Sequence, residues 1–308
     1  MAANTTATLS NEMMTFLIDT FLERSKANIV HAEGAKKRVH ARNSGKTMTW
    51  NRYTPLSAAT TALTEATNPV ETNIASDVVS ATVAEYGAFD KVSSLLYGTS
   101  IDRAAKEKTE VLAQNASETL DTLVRNELAT GATTQFAGAK GALSLVAASD
   151  VLNVNEIRKA VRTLKKNNAM VYSDGYFLGK VGPDTAYDLM GDNTWINAHT
   201  YKDGKELYKG ELGKLHKVRF LEASSNQYFD DNAGASSVDV YSNFIHGQEA
   251  IGTVDLSGDN MRLIIKHSDK GDTSNPLNMF LTIGWKATFA TKTLNADWIV
   301  NVKSAASA

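Results

Sequence analysis

One stretch, residues 45–98, constrains the fold more than any other part of the chain. It opens with a strand pattern over residues 47–53 and closes with a longer one over residues 78–92, in which Val79, Ala81 and Val83 alternate with polar neighbours. Between them, residues 54–76 are rich in Thr and Ala and contain no aromatic residue, Lys or Arg. A two-stranded ribbon is marginal in water unless its faces are covered, and long loops in compact domains usually have a role outside the domain. We therefore expect another copy of the chain to cover the ribbon.

Charge divides the same stretch into two arms of opposite sign. Residues 23–53 carry eight Lys or Arg against two Glu, whereas residues 54–90 carry five acids and no base. Such a pattern can set the register between neighbouring subunits through complementary potentials. The alternative, a solvated loop with scattered charge, is left open by composition.

The composition is that of a globular protein with a substantial core. The 308 residues are 43% hydrophobic and 21% charged, and a chain of this length buries about three quarters of its unfolded surface. A net charge of -2 and a pI near 6.3 argue against nucleic-acid binding by the field of the whole chain. The sequence has no run of 18 apolar residues and a polar start, so we expect neither a membrane span nor a secretory signal.

Cysteine is absent, which excludes disulfides and thiolate chemistry and fits assembly in a reducing cytoplasm. The six histidines lack the spacing that places two metal ligands on one helix face. Gly45-Lys46-Thr47 matches the end of a phosphate-loop motif, but His40 occupies the position, five residues before Gly45, where that motif requires its first glycine. We therefore predict no catalytic, cofactor-binding or metal-binding residue, although an enzyme that uses scattered carboxylates needs no local motif and remains an alternative.

The rest of the pattern predicts an α+β protein. Residues 9–29 form an amphipathic helix, either on an extended arm or packed on its own domain. Residues 101–130 predict one helix of about 45 Å, longer than a small domain is wide. Asn153 or Asn155 caps a further helix that runs to Lys166. A connection over 133–149, an exposed loop over 224–237, and strands over 170–181, 218–222, 238–244, 250–254, 261–267, 279–291 and 298–302 complete the prediction.

A basic cluster precedes the ribbon. Its members, which could meet phosphates or the acids of a neighbouring subunit, are Lys36, Lys37, Arg38 and Arg42. No aromatic residue is interleaved before Trp50, so stacking on bases is not supported.

A series of short segments covers nearly the whole chain in a recognisable order. These segments are Ser44-Gly45-Lys46-Thr47, Trp50-Asn51-Arg52-Tyr53, Leu63-Thr64-Glu65, Ala81-Thr82-Val83-Ala84-Glu85-Tyr86-Gly87, Ser93-Ser94-Leu95, Thr119-Leu120-Asp121-Thr122-Leu123-Val124-Arg125-Asn126, Gly284-Trp285-Lys286 and Leu294-Asn295. Together they make the chain similar to the major capsid proteins of tailed bacteriophages, in the group typified by the coliphage N4 capsid protein, with the Hong Kong 97 phage capsid fold.

This resemblance implies a division of the chain into five parts. Residues 1–45 would be an N-terminal arm, 46–98 an extended β-ribbon loop across a neighbouring subunit, and 99–149 the peripheral domain with its long spine helix. Residues 150–250 would be the axial domain, in which 224–237 lie near the capsomer axis, and 251–308 would return as strands to the peripheral domain. No long scaffolding segment is expected before the arm, and no lysine-asparagine crosslink is expected at Lys46.

The function that the resemblance implies is self-assembly into pentamers and hexamers of an icosahedral shell around double-stranded DNA. Assembly would take place in the host bacterial cytoplasm, with a portal, with scaffold or decoration proteins, with non-specific DNA contact through the basic cluster, and without cofactors or membrane. The expected intersubunit residues are Arg52, Tyr53, Leu56, Leu63, Glu65, Glu71 and Glu85. Two alternatives stand beside it: an encapsulin-like nanocompartment shell and a carboxylate-based hydrolase.

Overall fold

The structure is a computed structural model of the 308-residue chain. It describes residues 16, 18–22, 24, 29–41, 43–54, 56–63, 65, 68, 70–95, 103–200, 211–223, 228–256, 261–266 and 275–307.

Four α-helices and fourteen strands have their bounds within these ranges, besides the helical positions between 16 and 24. The helices are α1 (Arg103–Gly131), α2 (Val154–Lys166), α3 (Pro183–Gly191) and α4 (Asn193–Thr200). The strands are β1 (Lys36–His40), β2 (Thr47–Tyr53), β3 (Ser76–Thr82), β4 (Ala84–Ser93), β5 (Thr133–Phe136), β6 (Phe177–Val181), β7 (Glu211–Leu215), β8 (Val218–Glu222), β9 (Phe229–Asp230), β10 (Val240–His246), β11 (Ile251–Leu256), β12 (Arg262–Lys266), β13 (Phe280–Thr293) and β14 (Ile299–Ser304).

The first sheet is built around the long strand β13. Strand β4 pairs along one edge of β13, β12 and β11 share the other edge, and β1 adds in parallel to β11. Alternate residues of β13 enter a core with the apolar stripe of α1, because successive strand side chains point to opposite faces. The buried members on the two elements are Leu281, Ile283, Trp285, Ala287, Phe289, Leu112, Ala116, Leu120, Val124 and Leu128.

Helix α1 confirms the predicted long helix. Its 29 residues span about 43 Å at about 1.5 Å per residue. Asp121 of this helix is buried, although its side chain is a carboxylate. The helix ends at Gly131, where a Cβ would come 2.1 Å from Thr293 Oγ1.

The second sheet has the order β5-β14-β10-β6-β8-β7, and β9 pairs with β10. Helix α2 covers it with Ile157, Ala160 and Leu164, which pack on a core that includes Phe177 and Phe220. The predicted cap is confirmed, since the Asn153 side chain accepts hydrogen bonds from the first turn of α2.

The ribbon consists of β2 and β3, which pair from Thr47↔Thr82 to Tyr53↔Ser76. The predicted single strand over 78–92 is therefore two strands, interrupted at Val83. Strand β3 pairs with β2, whereas β4 pairs with β13. The chain thus leaves the ribbon and enters the first sheet within one residue.

Other differences from the sequence pattern lie in pairings between distant segments. Within the predicted strand over 170–181, Gly175 N donates to Tyr172 O at 2.8 Å in a turn, and the strand begins only at Phe177. The predicted connection over 133–149 contains β5, which pairs in parallel with β14. Strand β14 also pairs with β10, so the last strand joins the second sheet instead of returning to the first.

The predicted helix over residues 9–29 is helical at its described positions between 16 and 24. Phe21 is fully buried in the core between α1 and the first sheet, and the Arg24 guanidinium lies 3.4 Å from Glu110 on α1. This part of the helix therefore packs on its own domain. Within the described part of the chain, no helix is long and apolar enough to cross a membrane.

Candidate intersubunit surface

The base of the ribbon is anchored to the body of the subunit. Trp50 is only 5% exposed and packs with Ala81 of β3, Val254 of β11 and Ala290 of β13. The Arg38 guanidinium donates to the Thr49 carbonyl oxygen at 2.8 Å. One face of β2 is thus part of a small core, which fixes the direction in which the ribbon leaves the body.

The segment that closes the ribbon, residues 54–75, is here called the ribbon tip. All of its described residues are exposed, and none of them is in a helix or strand. Leu63 is 75% exposed and Val70 is 92% exposed, and the tip contains Glu65 and Glu71 but no Lys or Arg. Tyr53 and Leu56, next to and at the start of the tip, are also exposed. Sequence reasoning missed Val70 and Ile74, whose apolar side chains lie among small polar residues.

Two charged residues predicted to bridge subunits have partners in their own chain. Arg52 lies 3.3 Å from Asp77 Oδ2 across the ribbon and donates to Asn295 Oδ1 at 3.2 Å. Glu85 Oε1 lies 2.7 Å from Lys286 Nζ on the neighbouring strand. Each of these surface pairs contributes about 0–1 kcal/mol within the subunit. Bridging between subunits by Arg52 and Glu85 stays a prediction.

The predicted basic cluster lies partly on β1 at the edge of the first sheet. Lys36 Nζ is 2.8 Å from Glu249 Oε2, and Arg38 holds the Thr49 carbonyl as above. Burial raises the pKa of Asp255 on β11, and the charge of Lys37 acts in the opposite direction. Arg42 lies outside the described residues. Contact of this cluster with DNA stays a prediction.

A groove, here called the sheet-face groove, runs over the side of the first sheet that faces away from α1. Its volume is about 640 Å³. Strand register places Phe89 of β4 and Ile264 of β12 on either side of Gly284 of β13. A Cβ on Gly284 would come 2.6 Å from Phe89 Cβ, so glycine is required where the 67% exposed Phe89 lies across the central strand.

Lysines rim this apolar floor. Lys91 Nζ sits 4.9 Å from the centre of the Phe280 ring and 5.9 Å from that of Phe89, a cation–π arrangement. Lys266 and Lys286 also line the groove, and among the described lining residues Glu85 supplies the only carboxylate. The groove is therefore apolar at its centre and positive at its edge, whereas the ribbon tip is apolar and negative.

The described residues do not gather the side chains of a hydrolase or a metal centre at this surface. Within the described ranges, no group of three or more His, Asp or Glu could hold a metal ion. Most glycoside hydrolases use two carboxyl groups that flank one substrate bond, and the described lining of the groove contains one carboxyl group.

Comparison with known proteins shows where this architecture occurs. No protein-family model matches the chain, and no curated protein sequence matches it either. The capsid of Ralstonia phage GP4 is similar in structure with a TM-score of 0.70 and 12% identity over 92% of this chain and 91% of that one. The capsid of cyanophage P-SCSP1u has a TM-score of 0.68 and 13% identity over 91% and 89%. The capsid of cyanophage Pam1 has a TM-score of 0.63 and 19% identity over 91% and 93%. The chain therefore has the fold of phage capsid proteins, the Hong Kong 97 phage capsid fold.

Proposed function

We propose that the chain is a major capsid protein that assembles into pentamers and hexamers of an icosahedral shell around the double-stranded DNA of a tailed bacteriophage. The observation that carries this proposal is the ribbon, whose base is packed on the body and whose 22-residue tip has an exposed surface throughout its described part. The removal of apolar side chains from water lowers the free energy of the system, and the exposed side chains of the tip gain this stabilisation only if another surface covers them. A second copy of the chain supplies the surface that buries them.

The ribbon tip of one copy docks on the sheet-face groove of its neighbour. Leu63 and Val70 enter between Phe89 and Ile264, while Glu65 and Glu71 of the tip meet the lysine rim. Complementary charge steers such contacts and fixes register more than it raises affinity. Each copy gives one tip and receives another, so the contact is heterologous and closes only at the correct angle between subunits.

The remaining parts follow the division implied by the resemblance. Residues 1–45 serve as the arm, 46–98 as the extended loop and 99–149 as the start of the peripheral domain. Residues 150–250 serve as the axial domain, which β5 and β14 complete, and β11 to β13 belong to the peripheral sheet. The protein is structural and not an enzyme, belongs to the coliphage N4 type, and resides in the virion after assembly in the bacterial cytoplasm. A portal, scaffold or decoration proteins, and packaged DNA are its further partners.

A charge-reversal series tests the docking contact. One variant reverses the rim of the groove with Lys91→Glu and Lys266→Glu, a second reverses the tip with Glu65→Lys and Glu71→Lys, and a third combines all four substitutions. Light scattering and mass photometry of purified protein measure assembly. We expect the wild type to form megadalton particles, each two-site variant to assemble poorly, and the combined variant to recover.

The outcomes separate the two parts of the proposal. A wild type that remains monomeric or dimeric contradicts the shell function and favours the hydrolase alternative. A wild type that forms particles while all three variants assemble equally well contradicts only this docking site. Particles from the natural source that contain protein cargo and no nucleic acid favour the nanocompartment alternative.

A further inference from the structure

A buried group of ionisable side chains joins the N-terminal segment to α1 and to the second sheet. His31 lies in the segment before β1, Asp121 on α1, Lys180 on β6 and His246 on β10, and each is less than 3% exposed. Burying charged groups away from water is costly unless they are paired and hydrogen-bonded. Such a group at a junction of separate elements therefore calls for an explanation beyond packing.

The cluster holds residues 31–34 mainly through their backbone. Asp121 accepts from His31 N at 2.6 Å, and its second oxygen lies 2.7 Å from His31 Nδ1. Lys180 Nζ donates to the His31 carbonyl oxygen. The Tyr172 hydroxyl donates to the Gly34 carbonyl oxygen at 2.9 Å. Side chains from α1, from β6 and from the turn before β6 thus form hydrogen bonds with three backbone atoms of residues 31–34.

The electrostatic environment disfavours further positive charge in this cluster. Burial lowers the pKa of His31, the Asp121 carboxylate raises it, and Lys180 and Arg125 lower it. Burial also lowers the pKa of Lys180 to about 7, against the attraction of Asp121 and Glu33. The Phe244 ring, 6.0 Å from the His31 ring in an edge-on contact, supplies no charge.

His246 is more strongly opposed to protonation. Its Nδ1 lies 3.1 Å from both the Tyr172 hydroxyl and the Gly247 carbonyl oxygen, whereas among the described residues its Nε2 has no hydrogen-bond partner. Protonation would add a buried N–H⁺ without an acceptor. Burial, Lys180 and His31 place the pKa of His246 well below its ordinary value, while its bond to Gly247 raises it. The Tyr172 hydroxyl that contacts the His246 ring also donates the hydrogen bond to the Gly34 carbonyl oxygen.

We propose that the cluster is a proton-controlled latch: proton uptake by His31 and His246 releases residues 31–34 from the joint between α1 and the second sheet. The step is transfer of two protons from solvent to two imidazoles that become exposed: two N–H bonds form, and each donor hydronium ion is left as water. The latch does not depend on the shell function, because every group in it belongs to one subunit.

The sign and slope of the pH response follow from linkage. Consider a histidine that is neutral in the closed state and takes up a proton when it is released. The equilibrium constant for opening then rises about tenfold for each unit by which the pH falls below the free pKa of about 6.5. Two histidines give up to about a hundredfold per pH unit. Lys180 gives about tenfold per pH unit between its closed pKa of about 7 and its free pKa of about 10.5. The latch is therefore tightest at high pH and opens as the pH falls.

Hydrogen exchange measured by mass spectrometry on the full chain tests this law. The readout is exchange of a peptide that covers residues 29–35, normalised to the intrinsic chemical rate, from pH 6.5 to 5 and from pH 9.5 to 7.5. The variants are His31→Asn, His246→Asn and both together, because asparagine keeps a donor near the Nδ1 position but does not titrate. His216→Asn is the matched control, since His216 lies in the β7–β8 turn at φ 47°, which asparagine tolerates.

The expected slopes differ for each protein. Between pH 6.5 and 5, the logarithm of the opening constant of the wild type and the control should change by up to 2 per pH unit. Each single variant should give a slope of at most 1, and the double variant a slope near 0. Lys180→Met should abolish the slope between pH 9.5 and 7.5. A wild type without a slope, or a double variant that keeps the wild-type slope, overturns the proposal. The wild-type slopes and the single variants decide it even if Lys180→Met does not fold.

Discussion

Replacing two highly exposed apolar residues of the ribbon tip should prevent assembly without destabilising the subunit. The perturbation is the double substitution Leu63→Ser and Val70→Ser. Serine removes the apolar side chains without adding charge, which matters because a carboxylate at the tip would be attracted to the lysine rim of the groove.

The magnitude follows from exposure. Leu63 is 75% exposed and Val70 92% exposed in the subunit, and exposed substitutions of this kind change the free energy of unfolding by about 0.5 kcal/mol or less. If a neighbour buries both side chains, their loss costs about 1.5–3 kcal/mol each. A loss of about 3–6 kcal/mol per contact weakens each contact about a hundredfold or more, since about 1.4 kcal/mol is a factor of ten.

The assay has two parts. Urea unfolding of dissociated subunits, followed by circular dichroism, measures the stability of the fold, and light scattering at increasing protein concentration measures assembly. Trp50→Ala provides the contrast, because Trp50 is buried at the base of the same ribbon and its loss should cost about 3–5 kcal/mol. Leu145→Ser, at an exposed leucine away from both surfaces, is the matched control.

Two results would refute this reasoning. A tip variant that unfolds as easily as Trp50→Ala would place the tip in the core of its own subunit. A tip variant that assembles at the wild-type concentration would show that Leu63 and Val70 are not buried between copies.

Three further changes have definite expected effects. Deleting residues 56–73 should leave the circular dichroism spectrum folded but abolish particles, and a spectrum of an unfolded chain would contradict the role of the tip. Asn153→Ala should lower the free energy of unfolding by about 1 kcal/mol, because it removes the cap of α2; a cost near zero in urea titration would show that the cap is redundant. Asp121→Ala should cost about 3–5 kcal/mol in the same titration, because it removes the buried carboxylate that accepts from His31 N and pairs with His31 Nδ1, and a loss below 1 kcal/mol would argue against the buried cluster.

Elements specified by nearby residues were predictable from the sequence. Helix α1 has an apolar stripe that repeats every three or four residues, and α2 has its Asn153 cap and its terminal lysines. Strand β2 follows the predicted bounds because its pattern and its flanking Gly45 are local signals. The resemblance also predicted the fold that the comparison with phage capsids confirms.

Features that depend on distant pairings were not predictable. The apolar alternation changes phase at Val83 and Ala84, which marks an interruption of the strand, but it does not indicate that the partner changes from β2 to β13. The sequence pattern of β14 resembles that of the strands before it in the chain, yet β14 pairs with β5 on one edge and with β10 on the other. Side-chain periodicity reports which face is buried and not which strand lies alongside.

The buried cluster and the sheet-face groove could not be predicted from the sequence for a related reason. In the sequence, Asp121 and Lys180 look like surface residues, because the residue that both of them contact, His31, lies 90 and 149 positions away from them. The sheet-face groove arises only when register sets Phe89 opposite Gly284. One feature of the sequence did indicate the groove. The face of β13 that points away from the core contains Phe280 and Gly284, and a fully solvated face requires neither of them.

The most direct test of the central claim is intermolecular crosslinking between the tip and the groove. The chain has no cysteine, so one population carrying only Val70→Cys and another carrying only Ile264→Cys can be assembled together and treated with a short bifunctional maleimide. The account predicts a covalent dimer that joins position 70 of one copy to position 264 of another, seen by peptide mass spectrometry, in particles but not in dissociated subunits. Particles that form normally and yield no such dimer would contradict it.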